Sequence, residues 1–371
     1  MNPALESRNE TVSRVVKVNK LQSIDSLQVL RGVAALIVLV HHSLGTIRNP
    51  KNYDTTFLWD VFSTGQFGVD IFFVLSGFII FLTNFKPTGS LVGLANYSLK
   101  RTLRIYPVYW VVCIAYFLPY YLVPGFGDSN NKSLLHGIYS FFLFPTNGNP
   151  ALGVAWTLQF EMMFYMLFLP FVFNRRLGWI FWSLLAVFAV SFSLRGHEFK
   201  SPAMEQLFSL RILEFLMGGV VCVVSQKFPS RKGDWFTIGG ILAMIVMVFC
   251  ELKFGKRNIS NIFLYYALAS SFLIYGLASM AKLGQGVRQF PRWLMALGAY
   301  SYSIYLVHRP VQQALVKISV KLTGGDLSAF FVGLITVGVI LFSLLIGCLI
   351  GKLVEVPSQR YFRKWKIPSV S

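Results

Sequence analysis

The chain has 371 residues, of which 55% are hydrophobic and 13% are charged, and its mean hydropathy is +0.59. A soluble domain carries about 25% charged residues, so this composition excludes a soluble fold and predicts an all-α, polytopic membrane protein. The net charge of +19 does not indicate nucleic-acid binding, because the 34 Lys and Arg residues recur in short clusters between apolar runs and form no recognition motif.

Ten mostly apolar runs, each of about 16 to 23 residues, are long enough to cross a bilayer as helices. They are residues 27–47, 68–85, 106–123, 151–173, 177–194, 207–225, 235–250, 261–283, 293–315 and 329–351. They divide the chain into a basic tail (1–26), a membrane domain (27–351) and a second basic tail (352–371). The first tail lacks the apolar core of a signal peptide, so the first run is expected to remain as an anchor. Residues 174–176 leave room for only a tight turn between two spans.

The distribution of charge predicts how these spans are oriented. The two tails and the alternate loops on their side carry 21 Lys and Arg residues, the loops on the other side carry ten, and three lie inside spans. Basic loops stay in the cytoplasm, so both termini are expected there. The longest connection, residues 124–150, then lies outside, either as a functional loop or as an unstructured one.

Cysteine and histidine spacing gives no sign of a metal or a bound cofactor. The four cysteines lie singly in apolar segments, without CxxC spacing, at Cys113, Cys222, Cys250 and Cys348. They are expected to be packing residues rather than disulfides or ligands. The five histidines also lack metal-ligand spacing.

Ionisable side chains inside the predicted spans are the first candidates for function, because a charge is costly to bury in a membrane. They are Arg31, His41, His42, Asp70, Glu161, Arg211, Glu214, His308 and Arg309. Arg211 and Glu214 are three residues apart, so on one helix they share a face and are expected to neutralise each other. The others are expected to converge across helices or to line water.

Helical rise predicts that several of these side chains lie at a similar depth. At about 1.5 Å per residue, His42 lies roughly 22 Å from the cytoplasmic end of its helix. His308 reaches a similar outer level, Asp70 begins an inward-running helix there, and Glu161 falls near the middle of its span. Together these side chains could form one polar chamber in the outer half of the membrane. Such a chamber suits an enzyme or a proton-coupled transporter of a polar or glycan substrate. Polar residues that merely fasten helices together are the structural alternative.

Two arginines precede the third predicted span on the cytoplasmic side. If Arg101 and Arg104 lie on a helical turn, both guanidinium groups share a face and can grip phosphate oxygens bidentately. The preference of basic residues for cytoplasmic loops is the alternative explanation.

Five motifs, in the same order along nearly the whole chain, resemble those of the acyltransferase-3 family of integral membrane O-acyltransferases. They are Leu30-Arg31-Gly32-Val33-Ala34-Ala35 followed by His42, Gly68-Val69-Asp70-Ile71-Phe72-Phe73-Val74-Leu75-Ser76-Gly77-Phe78, Arg101 with Arg104, Ala155-Trp156-Thr157-Leu158 with Glu161 and Phe164-Tyr165, and Tyr302-Ser303-Ile304-Tyr305-Leu306-Val307-His308.

The resemblance implies transfer of an acetyl or similar acyl group from cytoplasmic acyl-CoA to a hydroxyl of an extracytoplasmic or lipid-linked glycan. Exopolysaccharide, O-antigen and nodulation oligosaccharides are acceptors of this type, and a bacterial inner membrane is the implied location. No bound cofactor is implied, since acetyl-CoA is the acyl-donor substrate. The paired arginines would hold its phosphates, and its pantetheine arm would thread between helices toward His42.

The resemblance also assigns roles to individual residues. His42 would act as general base, with an acetyl-His intermediate as the rival mechanism, and Asp70 or Glu161 would orient its ring. Arg31, about 16 Å from His42 along the helix, would be a donor-side phosphate ligand or a helix anchor. His308, Tyr165 and Trp156 are candidates for the substrate chamber. His41 points about 100° away from His42, and the family's ten-residue spacing from Arg31 selects His42.

Overall fold

The protein was analysed as a computed structural model that describes residues 3–49, 51–53, 59–122, 133–285, 290–362 and 365. Regular structure within these ranges is entirely helical. The α-helices are α1 (Pro3–Ile47), α2 (Trp59–Phe62), α3 (Phe67–Thr83), α4 (Leu91–Leu122), α5 (Leu134–Phe141), α6 (Trp156–Leu167), α7 (Leu169–Phe173), α8 (Arg175–Leu194), α9 (Pro202–Leu207), α10 (Ile212–Lys227), α11 (Gly233–Phe254), α12 (Ile262–Lys282), α13 (Arg292–Ala299), α14 (Ser301–Thr323), α15 (Ala329–Ile350) and α16 (Val356–Phe362). A π-helical segment, Gly351–Glu355, joins the last two.

Among the described residues, seven helical segments are long and apolar enough to cross a membrane, so the all-helical membrane class is confirmed, but a count of ten is not. The seven segments are Asp25–Ile47, Gly153–Phe173, Arg175–Leu194, Pro202–Lys227, Gly233–Phe254, Ile262–Lys282 and Ala329–Phe362. The second predicted span corresponds to α3, an apolar helix of 17 residues. The third and ninth fall on α4 and α14, which carry several charged side chains; residue 123, the end of the third, lies outside the described residues.

Several predicted spans are interrupted by turns. The ninth is broken between α13 and α14, and the fourth between α6 and α7. The sixth is broken before α10, and Arg211 lies in that turn. Arg211 and Glu214 were expected to share one helical face, and α10 begins between them, at Ile212.

Two connections have more structure than the sequence indicated. Between α7 and α8, Asn174 Oδ1 accepts hydrogen bonds from the backbone N–H groups of Arg176 (2.8 Å) and Leu177 (3.3 Å), which caps α8 and permits the tight turn. Within residues 124–150, α5 follows Ser133, whose hydroxyl accepts from the N–H of His136. Residues 124–132 of this loop lie outside the described residues.

The chain divides into two compact units. The first unit contains Met1–Ala34, Asp70–Thr83 and Glu214–Ala299. Within it α11 packs along α12, and α3 packs closely on α10. A Cβ on Gly77 would collide with the Phe215 carbonyl, and one on Gly218 with the Val74 carbonyl, so glycine is needed for these helices to approach so closely.

The second unit contains Ala35–Val69, Asn84–Leu213 and Tyr300–Ser371. In it α14 packs along α15, and a Cβ on Gly347 would lie only 2.7 Å from Cα of Ile304. Ile47 of α1 packs into a buried cluster with Val316 of α14 and with Val332 and Val339 of α15. These contacts hold the last part of α1 beside α14, and the candidate site lies on these helices.

Candidate active site

Two histidines from different helices stack on each other in the second unit. The rings of His42 in α1 and His308 in α14 lie 5.3 Å apart between centroids, with an interplanar angle of 27°. His308 is fully buried, whereas His42 is half-buried. The helical rise predicted that they lie at a similar level, and the structure brings them into direct contact.

His41 has a different environment from its neighbour. Its ring is buried against Trp59, with 5.5 Å between centroids, and its Nδ1 lies 2.9 Å from the Phe62 carbonyl oxygen. One ring nitrogen is thus engaged by the backbone. These contacts suit a residue that fastens α1 to the segment around α2 rather than one that meets a substrate.

Two side chains of α14 donate hydrogen bonds to α1 and hold the histidine pair in place. Arg309 Nη1 donates to Thr46 Oγ1 at 3.0 Å. The buried Gln312 donates through Nε2 to the Leu39 carbonyl oxygen at 3.0 Å and to Ser43 Oγ at 2.7 Å. Because these bonds join the turns that carry His42 and His308, they fix how the two rings face each other.

The helix α6 joins this site through Thr157. The Thr157 hydroxyl donates to the Tyr305 hydroxyl at 3.0 Å, and Tyr305 donates to the Val154 carbonyl at 3.3 Å. Tyr305 also contacts His308, with ring centroids 5.6 Å apart. Trp156 precedes Thr157 and was a candidate for the substrate chamber. The guanidinium group of Arg211 lies over its ring, 5.1 Å from the ring centroid.

A second cluster contains the predicted residues Arg101, Tyr165 and Glu161 together with Tyr97. The Arg101 guanidinium lies over the rings of Tyr97 and Tyr165, at 5.5 and 5.7 Å from their centroids. Tyr97 donates to the Tyr165 carbonyl oxygen at 3.2 Å, and the Tyr165 hydroxyl donates to the Glu161 carboxylate. Glu161 was expected to orient the His42 ring, but these contacts join it to the arginine cluster.

Arg104, one turn along α4 and half-buried, lies in a negative environment. Burial lowers the pKa of its guanidinium, but nearby groups that include Glu161 and Glu355 outweigh this effect and raise the pKa above its usual value. Glu355 is 1% exposed. Its Oε2 accepts from the Ser303 N–H at 3.1 Å and from the Ser303 hydroxyl at 2.7 Å, close to the N-terminus of α14, where a negative charge is favourable.

Residues in register connect the two clusters. On α14, Tyr305 is three residues from both Tyr302 and His308, and on α6 Thr157 and Glu161 are four apart, so each side chain is a neighbour of the next along its helix. Tyr302 donates to the carbonyl of Ile105, next to Arg104, at 2.9 Å. A run of polar side chains about 9 Å long on α14 therefore leads from the arginines to the stacked histidines.

The remaining predicted residues belong to the first unit. Asp70 is 4% exposed in the first turn of α3. Arg31 is half-buried on α1, next to Gly32, where a Cβ would lie 2.8 Å from the Gly298 nitrogen of α13.

Sequence reasoning missed Glu355, Gln312 and Tyr305 as site residues. Glu355 fell in the expected basic tail, although a lone carboxylate so soon after the apolar α15 was an available signal. Gln312 carries no charge, so the cost of burying a charge in a membrane does not single it out.

Comparison with known proteins identifies the family. A family model described as an acyltransferase domain matches residues 24–367. The chain therefore belongs to the acyltransferase-3 family, as its motifs predicted, and is an all-helical membrane protein of this class.

Its similarity to curated proteins is distant but extensive. Exopolysaccharide production protein ExoZ of Rhizobium meliloti (strain 1021) is 26% identical over 300 residues, covering 74% of this chain and 85% of that protein. The O-acetyl transferase of Shigella phage Sf6 is 26% identical over 305 residues, 77% of this chain and 84% of that protein. The putative peptidoglycan O-acetyltransferase YrhL of Bacillus subtilis (strain 168) is 26% identical over 327 residues, 78% of this chain and 48% of that protein. No solved structure matches the chain significantly.

Proposed function

We propose that this protein transfers an acetyl or similar acyl group from cytoplasmic acyl-CoA to a hydroxyl of an extracytoplasmic or lipid-linked glycan, such as exopolysaccharide or O-antigen. Membership of an acyltransferase family supports the reaction class. Relatives named as an exopolysaccharide production protein and an O-acetyl transferase support a carbohydrate acceptor. We further propose ten spans with both termini in the cytoplasm of a bacterial cell, on the distribution of Lys and Arg.

The observation that carries this proposal is the polar run along α14 and α6. One end has two guanidinium groups, one of them stacked on two tyrosine rings, and the other end has two stacked imidazoles. Acyl-CoA has phosphates at one end and its reactive thioester at the other. Paired arginines suit the phosphates, and an imidazole suits the activation of a hydroxyl.

In this mechanism Arg101 and Arg104 hold the donor phosphates, and the pantetheine arm follows the polar run. His42 removes the proton from the acceptor hydroxyl as the oxygen attacks the acyl carbon. The C–S bond breaks, and the leaving CoA thiolate takes up a proton. General base catalysis of this kind contributes about 10² to 10⁴ in rate, so His42→Ala should lower the turnover by that order.

Purified protein in liposomes tests the proposal. With radiolabelled acetyl-CoA and a candidate glycan, the wild-type protein should label the glycan, and His42→Ala should label it about 10² to 10⁴ times more slowly. His197→Ala is the matched control, because His197 is exposed and lies in a loop. Equal rates for His42→Ala and the wild type would remove His42 as the base. Analysis of the cell's surface polysaccharide with and without the protein would identify the missing ester and hence the acceptor.

A further inference from the structure

We propose that His308 is a second catalytic residue, which accepts the acyl group from the donor as an N-acylimidazole before His42 activates the acceptor hydroxyl. This inference rests on the proposed function and replaces its single displacement by two, in which His308 rather than the acceptor hydroxyl breaks the C–S bond. It gives the two stacked rings different tasks: His308 carries the acyl group, and His42 acts as the base.

The hydrogen bonding of His308 is the first observation behind this assignment. Its side chain is fully buried, and neither ring nitrogen has a hydrogen-bond partner among the described residues. The carbonyls of Ile304 and Tyr305, one turn earlier, lie close to the ring, but they do not meet hydrogen-bond geometry. Buried polar atoms are nearly always paired, and an exception calls for an explanation such as catalysis or a bound molecule. A nitrogen lone pair without a donor is available to attack a carbonyl carbon.

Burial distinguishes the tasks of the two rings. An acylimidazole is hydrolysed by water, and enzymes protect such reactive intermediates by excluding solvent. His308, with 0% exposure, provides that protection. His42 is half-buried, which suits the ring that must meet a large, solvated glycan.

The position of His308 agrees with delivery of the donor from the arginine cluster. Tyr305 lies one turn of α14 from both His308 and Tyr302, and Tyr302 is bonded next to Arg104. A thioester that advances past these two tyrosines reaches His308. The His41 ring packs instead against Trp59, with 5.5 Å between the ring centroids.

Acyl transfer then takes place in two steps. A ring nitrogen of neutral His308 attacks the thioester carbon, the N–C bond forms, and the C–S bond breaks with its electron pair on sulfur. The thiolate takes a proton from solvent and leaves as CoA. The resulting N-acylimidazolium is formed on the ring that stacks on His42, with 5.3 Å between the two ring centroids.

In the second step His42 removes the proton of the acceptor hydroxyl, and the oxygen attacks the acyl carbon. The C–N bond breaks, which returns neutral His308 and releases the ester. His42 then gives its proton to solvent. The sum is acyl-CoA plus alcohol giving ester plus CoA.

A half-reaction separates the two histidines. Purified full-length protein is mixed with radiolabelled acetyl-CoA without acceptor, quenched, digested and examined by mass spectrometry. Wild type and His42→Ala should both accumulate label on His308, approaching about one acyl group per chain, because neither can complete the second step without acceptor. When the glycan is then added, the wild type should lose the label and His42→Ala should keep it. His308→Gln and His308→Ala should remain unlabelled and should lose about a hundredfold or more of glycan acylation. His197→Ala should behave as the wild type.

Chemical rescue distinguishes a variant that has lost only the His308 ring from one that folds poorly. Added imidazole should restore acylation in His308→Ala and not in His308→Gln, because only the smaller side chain leaves room for the ring. Label on His42 instead, or glycan acylation by His308→Gln near the wild-type rate, would overturn this inference and leave the proposed function standing. A wild-type protein that acylates no glycan would overturn the proposed function itself.

Discussion

Gln312→Leu tests whether the contact between α1 and α14 aligns the two histidines. Gln312 is buried and donates two hydrogen bonds to α1, one helical turn beyond His308. Leucine has a similar size but cannot donate. The substitution should let the two helices shift and disturb the stacking of His308 on His42 while leaving the arginine cluster intact.

The structure sets the magnitude of this effect. Hydrogen bonds between membrane helices contribute about 0.6 kcal/mol on average and up to about 1.7 kcal/mol, so two are worth about 1 to 3 kcal/mol. The Leu39 carbonyl keeps a second donor, Ser43 Oγ, at 2.9 Å, which places the loss near the lower end. The protein should therefore fold. If the misaligned rings raise the activation free energy by about 1.4 kcal/mol, kcat falls about tenfold.

The assay is acylation of the glycan by liposomes, with kcat and the KM for acyl-CoA measured separately. We expect kcat to fall about tenfold and the donor KM to stay within about twofold, because Gln312 lies far along α14 from the arginines. Gln313→Leu, at the adjacent half-buried position, is the control and should retain activity. If Gln312→Leu keeps the wild-type kcat, this contact does not align the site.

Three further substitutions test the donor end and the packing of the second unit. Arg101→Lys should raise the KM for acyl-CoA about tenfold with little change in kcat, because lysine neither stacks on the two tyrosine rings nor binds phosphate bidentately; an unchanged KM would remove this residue from donor binding. Glu355→Gln should destabilise the protein by about 1 to 2 kcal/mol, seen as a lower unfolding temperature, because the charged hydrogen bonds at the start of α14 are weakened; an unchanged temperature would contradict this. Gly347→Val should reduce the yield of folded protein, because its Cβ meets Ile304 Cα at 2.7 Å, whereas Gly338→Val, with no atom within 4 Å, should not.

Hydrophobic run length predicted the membrane class and the approximate position of most long helices, because burial in lipid requires about 20 apolar residues whatever their tertiary contacts. Run length did not predict the turns that interrupt several of these helices. The break at Tyr300 lies inside a predicted span, and the turn before Ile212 contains one charged residue, Arg211, which is too few to end an apolar run. Such breaks depend on packing against other helices, which a one-dimensional pattern does not contain.

The candidate site was only partly accessible to sequence reasoning, for a similar reason. An ionisable side chain within a span is costly to bury and is therefore a candidate for function. This criterion selected His42, His308 and Glu161. The same argument cannot assign partners. Glu161 was expected beside His42, but its carboxylate accepts from Tyr165 in the arginine cluster, because α6 presents Thr157 to Tyr305 and Glu161 one turn further along.

The polar residues of α14 give the strongest physical reason to assign a function to His308. Burying polar groups among apolar helices is unfavourable unless each finds a hydrogen-bond partner. Five polar side chains in the segment 302–312 donate hydrogen bonds to neighbouring segments: Tyr302, Ser303, Tyr305, Arg309 and Gln312. His308 lies among them, and neither of its ring nitrogens has such a partner within the part of the chain that the structure describes. Side chains that donate hydrogen bonds from both sides of this ring to neighbouring segments can hold it rigidly against His42 and leave its nitrogens for a molecule that enters the site.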